Sequence, residues 1–510
     1  MTQVIETDFA IVGSGAGGSV LAYYLARASE RVLLLERGRR VEPDDMHGDE
    51  LDSVVKLFKD AGAQTNLTAD MFIIQGRCVG GSTVLTNGAC FYLPEDCRED
   101  WANRGFDLPA DALRRSFART GSVLNVAPLD ERCFNPGAER LRRGMQAVGL
   151  KPQPFLKNFA HCVGCGYCNM GCRYGQKLDA SRTWIPMAEA HGCHVRPRSQ
   201  AYRLRVERGA VRELSCRDLE TGAWFTVRAK RYVLAAGSVA SPELLLRSGI
   251  AKGRAGRGMS FNVGATTVAE YDEPIEAWRG DNLCVFSMHD EFTVEQLHNP
   301  PMTFALSMPG WYDRHHRDLQ RYAYLSSAGV LIPTGNYGRV RLSPLWRVSR
   351  RFDHAEVEFT MSDDDMALAR KGWKLMAEVF LASGAKRVVP PTMRYLELTD
   401  RSQLHRIDEA LRWQRDIHGF GSAHPFGGCN AGDEPHSTCD GSFRVRGVDN
   451  LFVCDASVFP SSIRVNPQWT IMSVADYAAR AIGDVSVPDV IEEGPAYELR
   501  RQRGTTEVAR

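Results

Sequence analysis

The spacing of three glycines near the start of the chain is typical of a turn that binds a dinucleotide. Gly13, Gly15 and Gly18 form G-x-G-x-x-G between a strand-like apolar run and a run with helical spacing. In such turns the first glycine permits the tight bend, the second lets the backbone approach a pyrophosphate, and the third lets the helix pack closely. Glu36 ends a second apolar run about 20 residues further on, where an acid hydrogen-bonds a ribose hydroxyl. These residues predict a site for FAD or NAD.

Four cysteines form a second pattern that could do chemistry. The spacing C-x2-C-x2-C-x3-C, which is that of iron–sulfur ligands in ferredoxins, joins Cys162, Cys165, Cys168 and Cys172. Arg173 replaces the proline that usually follows. One interpretation is an iron–sulfur cluster, and zinc is a further alternative, although structural zinc sites space their cysteine pairs more widely. The interpretation that we favour is a group of thiols or a local structural element that binds no metal.

A second glycine-rich stretch favours FAD over NAD as the cofactor. Gly80 and Gly81 stand just before Ser82, and Gly88 follows shortly after. Paired glycines beside small hydroxyl residues indicate backbone that lies close to a ligand. A simple NAD-binding domain has no need of this second stretch, whereas FAD is long and needs protein along its whole length.

The elements that must position these residues indicate an α/β protein with two joined domains. Residues 232–237 form another buried strand pattern, and Ser241 with Pro242 starts the helix that follows. Residues 265–345 combine strand patterns, loops and aromatic residues, and we interpret them as a sheet that roofs the substrate. A chain of 510 residues is longer than one compact core usually holds.

Composition is that of an ordinary globular enzyme, with 44% apolar and 25% charged residues and a net charge of +1. It indicates neither a nucleic acid nor a membrane surface as a partner. We find no signal-peptide pattern and no apolar run of about 18 residues, and therefore expect a cytoplasmic protein. Fourteen cysteines are many for that compartment, where stable disulfides are rare.

The C-terminal part completes a pattern that extends over nearly the whole chain. His424 stands before a glycine-rich turn, Asp455 ends a strand, and Asn466-Pro467 precedes a helix. Together with the two glycine stretches and the strand and helix of residues 232–241, these segments resemble the glucose–methanol–choline (GMC) oxidoreductase family. Four separated matches in the family's order are far more specific than any one motif.

The resemblance implies a Rossmann-like FAD-binding domain built from discontinuous segments, and a substrate domain with a mixed or antiparallel sheet and helices. We expect the FAD domain in residues 1–95, 190–265 and 420–490. The substrate domain is expected in residues 96–189 and 266–419, which include the cysteine-rich segment 161–175. Residues 491–510 are expected to be a charged tail that frays.

The resemblance also implies oxidation of a small-molecule alcohol, with FAD as the hydride acceptor. His424 is the expected base or electrostatic partner, because the pKa of histidine lies near working pH. Asn466 is expected to orient the substrate oxygen. This His/Asn pair is similar to that of cholesterol and choline oxidases. The residues expected to bind FAD are Gly13, Gly15, Ala16, Gly17, Gly18, Glu36, Arg37, Gly80, Gly81, Ser82, Thr86, Asn87, Gly88, Ala236, Gly237, Asp455, Ala456, Pro467 and Gln468.

Two departures from the family pattern and one likeness to a branch of the family refine these expectations. Thr86 stands where the family usually carries an asparagine, and Asn87 comes one residue later, so contacts near flavin N5 are expected to differ. Leu85 replaces the histidine that joins FAD covalently in some relatives, and we expect non-covalent FAD. The cysteine-rich segment resembles that of the long-chain-alcohol oxidase branch, which supports thiols without a metal.

The leading hypothesis is conversion of a primary alcohol to an aldehyde, or on to the acid if the aldehyde hydrates. O2 or another acceptor takes the electrons. One candidate substrate is an amino sugar of antibiotic biosynthesis, because carboxylates and aromatic rings in residues 311–318 suit a cationic polyol; that segment is otherwise a solvated loop. A long-chain alcohol or a sterol are alternatives. An electron-transfer subunit and a hydroxynitrile-lyase-like lyase are alternatives of other classes.

Overall fold

The computed structural model describes residues 3–346, 348 and 354–507. Within these residues the α-helices are α1 (Ala16–Arg27), α2 (Glu50–Leu57), α3 (Glu95–Asn103), α4 (Ala110–Leu124), α5 (Pro136–Ala147), α6 (Trp184–Ala190), α7 (Gly237–Ser248), α8 (Pro301–Ser307), α9 (Tyr312–Gln320), α10 (Asp363–Ala382), α11 (Arg406–Ala410), α12 (Gln468–Gly483) and α13 (Pro495–Glu507).

The strands fall into three sheets. In chain order they are β1 (Gln3–Val12), β2 (Val32–Leu35), β3 (Phe72–Ile73), β4 (Ala89–Cys90), β5 (Ala127–Pro128), β6 (Gln153–Pro154), β7 (Leu156–Lys157), β8 (His194–Arg196), β9 (Ser199–Glu207), β10 (Ala210–Asp218), β11 (Trp224–Leu234), β12 (Arg257–Gly264), β13 (Thr266–Glu270), β14 (Val285–Met288), β15 (Thr293–Gln296), β16 (Leu325–Pro333), β17 (Gly338–Leu342), β18 (Ala355–Glu358), β19 (Arg387–Val389), β20 (Gly421–Phe426) and β21 (Leu451–Val453).

The first sheet is the Rossmann-like part of the molecule. Strands β8, β2, β1, β11 and β21 lie side by side and run parallel. Strand β11 is long enough to serve two partners, because its first half pairs antiparallel with β10 and its last three residues pair with β21. Helix α1 connects β1 to β2 and packs between α6 and α12, which buries its residues from Gly17 to Ala26. The buried apolar runs predicted for this region are strands of a covered parallel sheet.

The second sheet is mixed and has two unlike faces. Its main path runs β18, β17, β12, β16, β15, β14 and β6, and β20 with β3 joins it at β12. One face packs on α10, where Trp373 and Phe380 share a buried cluster with Val330 and Ile332 of β16. Residues of the opposite parity on β16 therefore point to the other face, which carries the candidate site. The third sheet is small and joins β4, β7 and β5.

The predicted α/β class, with a Rossmann-like unit and a mixed sheet, is confirmed. Strands β12 and β20 come from segments that we expected in the FAD domain, and both lie in the mixed sheet. Part of the expected tail forms α13, and Ala496 is buried against Ala160 and Leu178 because the helix has an apolar side to dock. In the described part of the chain, no helix combines the length and apolarity needed to cross a bilayer.

Candidate active site

The glycine turn between β1 and α1 is held in place by backbone contacts that leave no room for side chains. A Cβ on Gly17 would collide with the carbonyl oxygen of Cys454, and one on Gly18 would collide with the carbonyl of Gly13. A Cβ on Gly15 would meet nothing within 4 Å. The first two positions therefore need glycine for packing, whereas Gly15 faces open space at the helix N-terminus.

The second glycine stretch lies directly against this turn. A Cβ on Gly81 would come within 2.9 Å of the Gly15 Cα. The Ser14 hydroxyl accepts a hydrogen bond from the Gly80 N–H at 3.0 Å and donates one to Glu36 Oε2 at 2.7 Å. The structure thus brings together three features that the sequence separates: the turn, the paired glycines and the acid after β2.

Glu36 is buried and partly engaged by the protein. Its Oε2 also accepts from the Ser14 N–H at 3.1 Å, and its Oε1 accepts from the Gly38 N–H at 2.7 Å. A carboxylate has about four lone-pair positions, so three accepted bonds leave one for a ribose hydroxyl. Arg37, the next residue, is exposed.

Asp455 joins two segments at the carboxyl end of the parallel sheet. Its Oδ2 accepts from the Gly237 N–H at 2.8 Å and from the Ser241 hydroxyl at 2.5 Å. Its Oδ1 accepts from the Ser457 N–H at 2.8 Å. Asp455 therefore fixes the start of α7, including Ala236 before it, beside the short turn of Ala456.

The stretch after the paired glycines meets the start of α12. The Thr86 hydroxyl donates to Gln468 Oε1 at 3.1 Å, and Gln468 Nε2 donates to the Ala89 carbonyl at 2.9 Å. Asn87 has a buried Oδ1 that no described residue hydrogen-bonds. A Cβ on Gly88 would collide with the ring of Phe159. Residues 86–89 and the residues around Pro467 thus form one contiguous wall.

Two buried lysines hydrogen-bond the backbone of this wall. They were not identified from the sequence. Lys177 Nζ donates to the carbonyls of Val84, Thr86 and Cys168 at 2.6–2.7 Å. Lys157 Nζ donates to the Asn87 carbonyl at 2.5 Å. Both side chains are almost completely buried. Lys177 in particular joins the cysteine-rich segment to the glycine stretch.

His424 lies on β20 directly opposite Asn262 of β12. The Asn262 amide Nδ2 donates to the Val465 carbonyl at 2.9 Å, and its Oδ1 accepts from the Arg464 N–H at 3.1 Å. Asn262 therefore connects the strand of His424 with residues 464 and 465, which lead into Asn466. Asn262 was not identified from the sequence, because its partners are set by strand register.

The predicted catalytic pair carries unsatisfied polar atoms. His424 Nδ1 and Asn466 Oδ1 are buried, and among the described residues neither atom has a hydrogen-bond partner. Desolvation lowers the pKa of His424 to about 4, so the ring is neutral at ordinary working pH. A neutral imidazole has one nitrogen that can accept a proton. The pair is thus prepared for a ligand that completes its hydrogen bonds.

The four cysteines of the ferredoxin-like spacing line one small pocket together with Phe159 and Lys177. Burial raises the pKa of the Cys162 thiol to about 12. Among the residues that the structure describes, no three His, Cys, Asp or Glu side chains are grouped to hold a metal ion. All fourteen cysteines, each within the described ranges, carry free thiols.

The charged segment 311–318 lies largely at the protein surface. It forms most of α9, whose residues are largely exposed, including Trp311 and Tyr312. Asp318 is the buried exception, and it accepts a hydrogen bond from Arg387 at 2.5 Å. The segment is thus exposed to solvent, as one of the two interpretations from the sequence expected, but it forms a helix rather than a loop.

These residues fit an FAD. The α1 N-terminus has neither a capping side chain nor an acid in its first turn, so its free N–H groups are open to a pyrophosphate. The open side of Gly15 gives the backbone approach that the motif requires. The orphaned atoms of Asn87, His424 and Asn466 supply unpaired groups for the reacting end.

Comparison with known proteins identifies the family. The family model described as GMC oxidoreductase matches residues 54–269 with its N-terminal domain and residues 333–475 with its C-terminal domain, together more than half of the chain. A model described as an NAD(P)-binding Rossmann-like domain matches residues 11–72.

Three relatives illustrate the range of proteins to which the chain is similar. An uncharacterized GMC-type oxidoreductase of Mycobacterium tuberculosis is 29% identical and covers 96% of this chain and 77% of the relative. A long-chain-alcohol oxidase of Arabidopsis thaliana is 26% identical, with 92% and 66% covered. The paromamine 6'-oxidase of Streptomyces fradiae is 26% identical, with 94% and 92% covered.

A solved structure, pyridoxine 4-oxidase from Mesorbium loti, has the same fold. It aligns with a TM-score of 0.72 at 18% identity, and the alignment covers 94% of this chain and 100% of that one. The matches extend from the glycine turn through the segment of His424 and Asn466. The chain belongs to the GMC oxidoreductase family and is an FAD-dependent alcohol oxidoreductase that acts on CH–OH groups.

Proposed function

We propose that this protein oxidises a primary CH2OH group of a polar, amine-bearing sugar to the aldehyde. The observation that carries the reaction type is the pair of unpartnered atoms, His424 Nδ1 and Asn466 Oδ1, beside residues that fit a flavin. Further oxidation to the acid follows if the aldehyde hydrates, because the hydrate is again an alcohol.

The cofactor is proposed to be non-covalent FAD. Its pyrophosphate would lie at Gly13, Gly15, Ala16, Gly17 and Gly18, and its ribose at Glu36. Gly80, Gly81 and Asp455 would support its middle, and Asn87 and Gln468 its flavin end. Leu85 offers no side-chain nucleophile for a covalent bond. When bound, FAD supplies the acceptor for the hydride.

His424 and Asn466 divide the work on the substrate hydroxyl. His424, neutral above about pH 5, accepts the hydroxyl proton at Nδ1 as the C–H bond is broken. Asn466 donates an amide N–H to the same oxygen and fixes its orientation. Asn262 keeps the two segments in register.

The substrate class rests on the polar character of the face that carries His424 and on the similarity to a paromamine 6'-oxidase. Biosynthesis of an amine-containing antibiotic is the corresponding role. A cytoplasmic location agrees with fourteen free thiols. The electron acceptor is O2 or another small oxidant.

A long-chain alcohol is the second candidate, favoured by one specific observation. Phe91, Phe155 and Phe286 form an aromatic cluster with ring centroids 4.8–5.6 Å apart beside the site. The similarity to a long-chain-alcohol oxidase points the same way. The cysteine pocket is proposed to hold thiols rather than an iron–sulfur cluster, and iron and sulfide analysis of protein purified without oxygen tests that choice.

The experiment is anaerobic mixing of the purified flavoprotein with four alcohols while the flavin absorbance is recorded. The panel contains paromamine, a long-chain alkanol, a sterol and glucose. Rapid bleaching by paromamine alone is the expected result. Bleaching by the alkanol instead would move the protein to the fatty-alcohol branch. Absence of bleaching by any alcohol, with bleaching by a chemical reductant, would favour a lyase or an electron-transfer subunit. Slow reoxidation by air would exclude O2 as the acceptor.

A further inference from the structure

One face of the mixed sheet carries His424 and, further along, a buried acid that the reaction scheme does not use. His424 is paired with Asn262, Asn262 with Pro333, and Glu295 with Gly329 on the same strand as Pro333. Directly paired residues share a face, and so do residues two or four apart on one strand. Glu295 therefore lies on the same face as His424.

Two residues next to Glu295 in the sheet, Thr293 and Phe286, contact other parts of the candidate site. Thr293, two residues before Glu295 and on the same face, donates its hydroxyl to the Arg464 carbonyl at 2.9 Å. Arg464 stands two residues before Asn466. Phe286, paired with Glu295, contacts Phe91 at a centroid distance of 4.8 Å. Neighbours of Glu295 thus contact the segment that leads to Asn466 and the residue Phe91, which follows the wall of residues 86–89.

Glu295 is a buried carboxyl with an unpartnered oxygen. Only 5% of the residue is exposed, and within the described residues no donor hydrogen-bonds its Oε2. The residue paired with it on β16 is Gly329, where an added Cβ would meet a single atom, at 4.0 Å. Gly329 thus places no side chain beside the carboxyl, and a buried acceptor without a donor is costly unless a ligand supplies one.

Lys157, whose charge acts on Glu295, is already engaged elsewhere. Lys157 Nζ lies 3.2 Å from Asp281 Oδ2 and donates to the carbonyls of Asn87 and Asn282. Asp281 balances its charge, so Glu295 is a second carboxyl with no cation of its own. Burial raises the pKa of Glu295 to about 8, and Lys157 opposes this only in part. The carboxyl therefore keeps its proton near neutral pH, and a ligand cation beside it would let it ionise.

We propose that Glu295 binds the ammonium group of the substrate and so determines specificity for amine-bearing alcohols. This inference rests on the proposed function of the site. An ammonium group offers donors and a positive charge, which are the two things that the carboxylate lacks. A hydrocarbon chain offers Glu295 no hydrogen bond, and a neutral hydroxyl offers no charge that would let the carboxyl ionise.

The test is calorimetric titration of the holoenzyme with paromamine and, as a neutral counterpart, glucose. Glu295→Gln removes the charge at constant shape. Loss of a hydrogen bond to a charged group weakens binding about 10- to 100-fold, so we expect that loss for paromamine. Wild-type binding near pH 7 should release a proton, seen as a dependence of the enthalpy on the buffer, and the variant should release none.

A matched control keeps the result specific. Glu291 lies in the same hairpin but on the surface, paired with Lys371. Glu291→Gln should bind paromamine as the wild type does, and both variants should keep their FAD. Equal paromamine affinity in Glu295→Gln and wild type, or equal proton release, would overturn the inference, as would failure of the wild type to bind paromamine. Flavin bleaching is recorded separately, so tight binding without bleaching would refute the proposed reaction and leave the Glu295 contact established.

Discussion

The cofactor turn and the face that carries His424 satisfy their polar groups in opposite ways. In the turn, Ser14, Gly38 and Gly80 already place their N–H groups on protein acceptors. On the other face, buried atoms of His424, Asn466 and Glu295 find no hydrogen-bond partner in the part of the chain that the structure describes. The side chains that shape the turn satisfy one another and leave the α1 N-terminus open to the cofactor, whereas the side chains of the other face are satisfied only by a ligand.

This difference separates the region that holds the cofactor from the region that acts on the substrate. A preformed backbone surface can hold a large cofactor without further rearrangement, because its geometry is fixed by contacts such as that of Gly17 with Cys454. Unsatisfied side chains reduce stability, and proteins keep them where a ligand will use them. Substitutions in the turn should therefore affect folding and FAD content, and substitutions on the other face should affect turnover.

The largest effect is expected for Gly17→Ala. Its new methyl group would collide with the Cys454 carbonyl, and neither backbone can move without separating α1 from β21. We expect little soluble holoprotein, because overpacking at a rigid contact costs about 1–3 kcal/mol or more. Thermal unfolding and the ratio of flavin to protein absorbance measure it.

Gly15→Ala is the matched control two residues away. A Cβ there meets nothing within 4 Å, so the apoprotein should unfold at the wild-type temperature. Its FAD affinity should fall, because the methyl group occupies the side open to the pyrophosphate. If both variants lost stability equally, the distinction between a packing glycine and a ligand-facing glycine would be wrong.

Sequence reasoning reached the turn because the turn is local. Gly13, Gly15, Gly18 and Glu36 lie within one strand–helix–strand unit, where spacing determines contact. The roles of Asn262 and Glu295 depend on which strands pair and in what register, and these pairings join residues far apart in the chain. A single acid inside the buried strand of residues 293–296 was the one available signal for Glu295.

The next largest effect is expected for His424→Ala, which should change turnover without changing FAD binding. In His424→Ala we expect normal FAD content and stability, and a rate of flavin reduction by alcohol that is about 10²- to 10⁴-fold lower. Anaerobic stopped-flow absorbance measures the rate, with reduction by dithionite as the control for an intact flavin. Loss of FAD from this variant would show that His424 belongs to the scaffold instead.

Lys177→Met tests the junction between the cysteine segment and the glycine stretch. It removes three hydrogen bonds and leaves the buried carbonyls of Val84, Thr86 and Cys168 without a donor. We expect a loss of about 3 kcal/mol in stability and weaker FAD binding. Lys386→Met, on an exposed lysine paired with Asp272, should change neither in chemical denaturation with flavin fluorescence.

The smallest effect is a pH-dependent gain in stability in Glu295→Gln without substrate. The pKa of Glu295 is about 8 in the folded protein and near 4.5 when unfolded, so the folded state binds more protons between these values. Stability from this group is present below pH 4.5 and is lost as pH rises toward 8. Between pH 5 and pH 6.5 the wild type should lose about 2 kcal/mol relative to the variant, at about 1.4 kcal/mol per pH unit. Parallel denaturation curves at four pH values measure the difference, in which all other titrating groups cancel. A difference that stays constant with pH would mean that Glu295 is ionised and already paired, and the contrast between the complete turn and the incomplete face would then fail at this residue.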